Sequence, residues 1–370
     1  MEPLFVYGTL CHLPLLRVVL GRDVAAHPAT AAGYGVHWAR GQEFPLIVPK
    51  AGAVAQGLLL EGLDAQDLAR LDWYEGAFGY GLNPVSVAVE GRADQAARVY
   101  MTDRAEWQPA ELWSLADWVA RCGATVVATA GDAMARYPAG DLAGRWGAML
   151  VRGSSRVRAR QVAPTTLRHA AQPQDMAVAG VRQPYADFFA VEEYDLSFRR
   201  FDGGQSPVVT RAVFVSGDAV TVLPYDPVRD RVLVIEQFRI APHARGDSQP
   251  WVLEAIAGRI DPFESPEIAA RREAEEEAGL VLGDLLAVAA YYPSAGAKSE
   301  FVYSYVAITD LRDGAAGIGG VASEDEDIRG HLLDFSDFMA LVDSGEVASA
   351  PLILTAFWLQ RERARLRASA

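Results

Sequence analysis

Residues 258 to 280, GRIDPFESPEIAARREAEEEAGL, permit few local structures. Ser265 suits a helix N-cap, Pro266 the first helical position, and Gly279 the left-handed residue past the end. Within that helix Glu273, Glu276 and Glu277 stand at i, i+3 and i+4, so their carboxylates share one face. Ala270, Ala274 and Ala278 form a neighbouring stripe, small enough to lie close on a sheet. Arg271 and Arg272 precede Glu275 and Glu276 by four residues each. Three carboxylates converging on one spot repel unless something positive and oxygen-seeking occupies it, and a hard divalent cation such as magnesium meets that need. A solvated charged face has the same spacing, and charge runs usually mark exposed surface.

The rest of the chain sets the context. Its 370 residues have room for two domains, and 51% hydrophobic with 22% charged residues is globular composition. A formal net charge of −14 argues against nucleic acid or an anionic membrane as partner, and it admits an anionic substrate only where cations bridge the repulsion. The opening MEPLFVYGTL has no basic leader segment and no run is apolar enough to span a membrane. Cys11 and Cys122 lack metal-like spacing. Together these predict a reduced, cytoplasmic protein.

Apolar patterning predicts strands at FVYGTL, FPLIVP, AVAQGLLLEGL, VSVAVEG and AARVYM. Helices are predicted over PLLRVVLG, over DAQDLARLDWYEG with Asp64 as N-cap, and over PAELWSLADWVARCG, begun by its proline and stopped at Gly123. RQVAPTTLRHAAQPQD lacks periodicity and marks a boundary. Beyond it DAVTVLPYDPVRDRVLVIEQFRI reads as a hairpin turning at DPVRD, and WVLEAIAGRI as a strand leading into the acidic helix. LAVAAYY and FVYSYVAI are further strands, and PLILTAFWLQRERARL is a closing helix. The domains predicted are 1–160 and 175–370, with a linker at 161–174.

Gly258, Glu264, Arg272, Glu273, Glu276, Glu277 and Gly279-Leu280 fit G-x5-E-x7-R-E-U-x-E-E-x-G-U, the signature of the Nudix hydrolases, with Ala274 where a larger aliphatic is usual. VLPYDPVRDRVLVIEQFRI, PWVLEAIAG, SAGAKSE and ASEDEDIR extend the resemblance to the ADP-ribose pyrophosphatase branch over about 175–370. The resemblance implies an α/β/α Nudix sandwich that cleaves the diphosphate of ADP-ribose or a related nucleoside diphosphate sugar, releasing AMP and ribose 5-phosphate from ADP-ribose. It implies a homodimer and bound Mg2+, with Mn2+ as a substitute. By position, Glu273, Glu276, Glu277 and the carbonyl of Ala257 resemble the metal ligands, and Arg272 belongs to the catalytic set. Glu324 matches the base or water-positioning residue, with Glu326 able to share that role. Phe188 would stack on adenine, Arg211 and Arg239 would meet phosphate or ribose, and Glu300 would touch the terminal ribose. Phe188 equally suits a core aromatic, and the arginines suit surface ion pairs. Ala295 stands where this branch usually has proline, which leaves other nucleotide sugars open.

FVYGTL followed by LDWYEGAFGY resembles the gamma-glutamylcyclotransferase-like family over about the first 105 residues. That implies a β-barrel with helices, giving an α+β or α/β chain in all. There the loop Tyr7, Gly8, Thr9 and Leu10 would hold a substrate carboxylate on backbone amides. Glu75 would move protons, helped by a pKa raised through burial. A tight turn after a strand and a helix-end glutamate account for the same residues, and Leu82 replaces the usual arginine. Gamma-glutamyl cyclotransfer is the alternative main activity, and a non-catalytic ligand sensor is another. Trp107, Trp113, Trp118 and Trp146 read as packing residues.

Overall fold

A computed structural model describes residues 2–136, 142–161, 163–321, 323 and 325–370. The chain forms two compact units, Met1–Ala163 and Pro164–Ala370.

The first unit runs β1 (Leu4–Val6), α1 (Leu13–Leu20), β2 (Ala25–Ala39), β3 (Pro45–Glu61), α2 (Ala65–Gly76), β4 (Gly81–Val89), β5 (Gln95–Met101) and β6 (Pro109–Leu112). It continues with α3 (Leu115–Trp118), a π-helical turn over Val119–Gly123, α4 (Ala124–Arg136) and α5 (Leu142–Arg158). Pairing runs β2–β3–β1–β5–β4 and back to β2, which closes a five-stranded barrel and leaves β6 on its outside. Closure removes the open edges that a sheet would otherwise expose. Phe5, Ala31, Leu59, Val87 and Val99 fill the interior, each at most 1% exposed. Asp64 caps α2 by accepting from the amides of Gln66 and Asp67, and Asp67 reaches back to the amide of Asp64 at 2.9 Å.

Two expectations for this unit are corrected. FPLIVP and AVAQGLLLEGL are parts of one long strand, β3, paired along most of β2. PAELWSLADWVARCG is not one helix. Pro109 opens edge strand β6, where a missing N–H faces outward harmlessly, and Ser114 caps the helix that follows. Gly123 does not stop that helix, because the alanine-rich α4 continues it. The tryptophans pack as expected within this unit. Trp118 is wholly buried, Trp113 meets Trp38 at 4.3 Å, Trp107 meets Phe44 at 4.8 Å and Trp146 meets Phe78 at 5.4 Å.

The second unit opens with β7 (Met176–Ala186), β8 (Ala190–Phe198) and β9 (Val209–Val215), a separate three-stranded sheet. Then come β10 (Ala219–Asp226), β11 (Arg231–Phe238), α6 (Ile240–Arg245), β12 (Trp251–Glu254), β13 (Ile256–Arg259) and α7 (Pro266–Ala278). β14 (Leu285–Tyr291), β15 (Val302–Ile308), β16 (Ile318–Gly319), β17 (Ile328–Asp334), α8 (Phe335–Ser344) and α9 (Ala350–Ala368) complete it. The main sheet is sandwiched between helices, and strand alternation shows how. Val220, Val222, Leu233 and Ile235 pack with Ala269, Ala270 and Ala274 of α7. The intervening Leu223, Tyr225, Val232 and Val234 pack with Phe338, Leu352 and Leu359 of α8 and α9.

The hairpin of β10 and β11 pairs only at its turn, Tyr225 with Val232 and Asp226 with Arg231. WVLEAIAGRI, expected as one strand, breaks at Ala255 for this reason. β12 pairs with β11 and β13 with β10, so the segment changes partner. That change delivers Ala257 and Gly258 beneath α7. Ser265 accepts from the amide of Ile268, and Gly279 takes φ 63°, so both ends of α7 form as expected. No helix among the described residues is long and apolar enough to cross a membrane.

Asp64→Ala removes the acceptor for two amides at the start of α2. It should lower the stability of the first unit by about 1 kcal/mol, read as a shift of its transition in calorimetry.

Candidate active sites

In the second unit the carboxylates of α7 converge as their spacing predicts. Glu277 is 3% exposed and accepts from the amide of Ala257 at 3.0 Å. Glu273 lies against Gly258 so closely that a Cβ there would run into its carboxyl group. Only glycine leaves this cradle open. Burial pushes the Glu273 carboxyl up to about 7; Arg272 opposes the shift, while Glu276 and Glu326 add to it. Burial likewise pushes Glu277 up to about 8, opposed by the Ala257 amide and Arg239 and reinforced by Glu273 and Glu326. Glu326 and Arg239 therefore lie within electrostatic reach of these carboxylates. Val321 donates its amide to Glu326 at 3.2 Å, and Arg239 donates to Glu254 at 2.8 Å.

Arg272 organises the cluster. Its guanidinium donates to both oxygens of Glu264, at 3.0 and 3.1 Å, and to Glu273 and Glu276 at 2.8 Å each. Arg271 does not pair with Glu275. It donates instead to the carbonyls of Leu282 and Gly283, tying down the chain after α7. Among the described residues no three acidic, histidine or cysteine side chains stand ready in metal-holding geometry. The donor set nevertheless fits a hard divalent cation. It is all oxygen, two of its members are desolvated against backbone, and their mutual repulsion is what a bound cation would relieve. Glu324 lies outside the described residues.

The expected substrate contacts are more scattered. Phe188, at the β7–β8 turn, is 55% exposed, which overturns the core alternative. The guanidinium of Arg259 lies 3.9 Å from its ring centroid. Arg211 on β9 donates to the carbonyl of Thr210 beside it, and Glu300 pairs with Lys298 at 3.6 Å. Among the described residues no hydrogen bond or ion pair ties Phe188, Arg211 or Glu300 to the α7 carboxylates. The role of Glu264 as the anchor of Arg272 was present in the motif spacing and assigned to nothing.

In the first unit Tyr7, Gly8, Thr9 and Leu10 lead from β1 into a short 3-10 turn, closed by the amide of Cys11 on the carbonyl of Gly8 at 3.0 Å. Glu75 ends α2. It keeps some solvent access, yet its surroundings desolvate it enough that burial pushes its carboxyl up to about 7. It makes no side-chain hydrogen bond among the described residues, and burial together with its charge pushes the hydroxyls of Tyr74 and Tyr80 up. Tyr7 and Tyr100 also feel it, after burial and nearer neighbours. An unpaired acid ringed by tyrosines and poised near neutrality suits proton transfer. The tyrosines flank Glu75 in the sequence at Tyr74 and Tyr80, a signal that carried no role there.

The comparisons with known proteins agree with the two architectures. Residues 4–120 match the family model described as gamma-glutamyl cyclotransferase, AIG2-like, and residues 215–352 match the NUDIX domain. An ADP-ribose pyrophosphatase of Escherichia coli K12 is 38% identical over 193 residues, covering 52% of this chain and 91% of that protein. One from Haemophilus influenzae is 35% identical over 205 residues, covering 55% and 94%. A GDP-mannose pyrophosphatase of Pectobacterium atrosepticum is 34% identical over 169 residues, covering 45% and 84%. The second unit is thus a Nudix pyrophosphohydrolase. The chain belongs to the Nudix hydrolases, in the ADP-ribose pyrophosphatase branch, and carries a gamma-glutamyl cyclotransferase-like domain ahead of that unit.

The raised pKa of Glu75 has a signed consequence for stability. The folded state holds this proton more tightly than the unfolded chain, so stability falls as pH rises from about 4.5 toward 7 and stays lowered above. Glu75→Gln mimics the protonated form. Its melting temperature should exceed that of the wild type above pH 7, and the gap should close below about pH 4.5.

Proposed function

We propose that residues 175–370 hydrolyse the diphosphate bond of ADP-ribose or a related nucleoside diphosphate sugar, yielding AMP and ribose 5-phosphate from ADP-ribose. The observation that carries this reading is the trio Glu273, Glu276 and Glu277, two of them desolvated against Gly258 and Ala257 beside Glu326. Magnesium held there would offset the negative charge of the diphosphate, polarise its phosphoryl oxygens and lower the pKa of the attacking water. Glu273, Glu276, Glu277 and the Ala257 carbonyl are the residues to hold it. Arg272, clamped by Glu264, fixes where Glu273 and Glu276 point. Glu324, with Glu326 beside it in the chain, orients the water and takes its proton. Arg239 supplies a positive charge to the anionic substrate.

Recognition of the base falls to Phe188, whose ring is exposed and has Arg259 over it. Arg211 and Glu300 meet the phosphate or ribose and the terminal ribose. Ala295, in place of the usual proline, leaves the sugar open, and the GDP-mannose pyrophosphatase relative fits that breadth. The exposed apolar residues of β7–β9, Val178, Val181, Tyr185 and Phe198 among them, support a homodimer formed through this sheet. A cytoplasmic location agrees with two free cysteines.

Glu75 favours a second reading for the first unit, cyclotransfer on gamma-glutamyl amines or peptides. Its unpaired carboxyl near neutrality would take a proton from the attacking amine and deliver it to the leaving group, and the Tyr7–Leu10 loop would hold the substrate carboxylate.

One pair of variants separates the two. With ADP-ribose and magnesium, Glu276→Gln should lower AMP release by at least about a hundredfold, and Glu75→Gln should leave it unchanged. Formation of 5-oxoproline from gamma-glutamyl compounds should be lost only in Glu75→Gln. Absence of AMP from the wild type with every nucleoside diphosphate sugar tried would overturn the hydrolase reading. Gly258→Ala, which displaces Glu273 without removing a charge, should cost at least about tenfold in the same assay while leaving the far-UV circular dichroism unchanged.

A further inference from the structure

Gln237 lies near the end of β11, is 6% exposed, and has no hydrogen-bond partner for its amide Nε2 among the described residues. Buried polar atoms are rarely left without a partner, and an orphan in a native fold calls for an explanation. Its position supplies one. Leu233 and Ile235 precede it on the face of β11 turned to α7, and Arg239 follows at the same spacing. Across the sheet Gly319 pairs with Ile328, Ile328 with Gln237, and Gln237 with Val252, so these four form one row. Ile328 belongs to the core beneath α7, and Gly319 abuts the carbonyl of Glu277 at the end of that helix. Directly paired residues in an antiparallel sheet share a face. Gln237 therefore faces the side that carries Glu277, with Arg239 two residues after it, at the N-cap of α6, and Glu326 two residues before its partner Ile328.

We propose that Gln237 is a substrate-positioning residue, whose amide N–H donates to a non-bridging oxygen of the diphosphate. The inference depends on the hydrolase reading above and adds a residue to it. Ile235 and Ile328 on either side are wholly buried and offer that amide no polar side chain. An anionic phosphoryl oxygen is the strongest acceptor that could enter. A donor without a protein partner also favours ligands that carry an oxygen there over ligands that do not.

The test uses the full chain. Gln237→Met keeps the volume and removes the donor, and Gln237→Glu keeps the shape while replacing the donor with an acceptor. Steady-state hydrolysis of ADP-ribose with magnesium, melting of the ligand-free protein, and calorimetric binding of an analogue with methylene in place of the bridging oxygen are the readouts. Gln237→Met should lower kcat/KM at least about tenfold, mostly through KM, and weaken analogue binding to match. Its ligand-free melting temperature should be unchanged or higher, because an unsatisfied buried donor has been replaced by an apolar group. Gln237→Glu should bind more weakly still, since an anion would face an anion. Unchanged kcat/KM in Gln237→Met, a lowered melting temperature with wild-type kinetics, or retained binding in Gln237→Glu would each overturn the proposal. A wild type without turnover would instead overturn the hydrolase reading itself, and the variants are not needed to see it.

Discussion

The second unit depends on how near α7 can come to β13. Ala269, Ala270 and Ala274 are wholly buried against the sheet, and Gly258 has no side chain to hold the helix away. A helix with bulky residues on that stripe would ride higher, and Glu273 and Glu277 would stay in water as ordinary surface acids. The close approach removes their solvent, and the repulsion so created is held in place by Arg272 and by the Ala257 amide. The site is thus a product of packing as much as of charge. Its acidic groups are made costly by the same contact that fixes their direction.

The first unit reaches a similar end by a different route. Its barrel is closed by strands that have no free edge, and Glu75 sits where α2 ends among tyrosines. Among the described residues no cation pairs with it. Desolvation alone raises its carboxyl, which leaves the proton free to move rather than locking the group in an ion pair. In both units burial pushes a carboxyl up, Glu75 in the first and Glu273 in the second, and an arginine opposes the shift at Glu273.

Much of this was legible in the sequence where local signals were strong. Ser265, Pro266 and Gly279 define α7 by chemistry that needs no tertiary help, and Asp64 does the same for α2. The converging glutamates followed from helical spacing alone. β2 was not legible, because AAHPATAAGYGVHWA is rich in alanine and glycine and has just two β-branched residues, Thr30 and Val36; its pairing with β3 holds it. The split of WVLEAIAGRI was hidden as well, since both halves have strand character and only the parting of β10 from β11 makes them choose different partners. Gln237 follows the apolar run Val232–Ile235 in a polar stretch, Glu236-Gln237-Phe238-Arg239, that gives no sign of burial, and its orphaned amide becomes visible only once strand register is known. The residues proposed to meet the substrate are harder still, because Phe188, Arg211 and Glu300 come from separate segments with no common periodicity.

That separation has an outcome for how such a chain can diverge. The backbone wall at Ala257 and Gly258 and the carboxylates of α7 are carried by one continuous stretch, whereas Phe188 and Arg211 belong to a different sheet and its turn, and Glu300 to the loop before β15. Under the proposed assignments, drift in those segments would exchange one nucleotide sugar for another while leaving the α7 carboxylates in place. The molecule is free to change its diet while keeping its teeth.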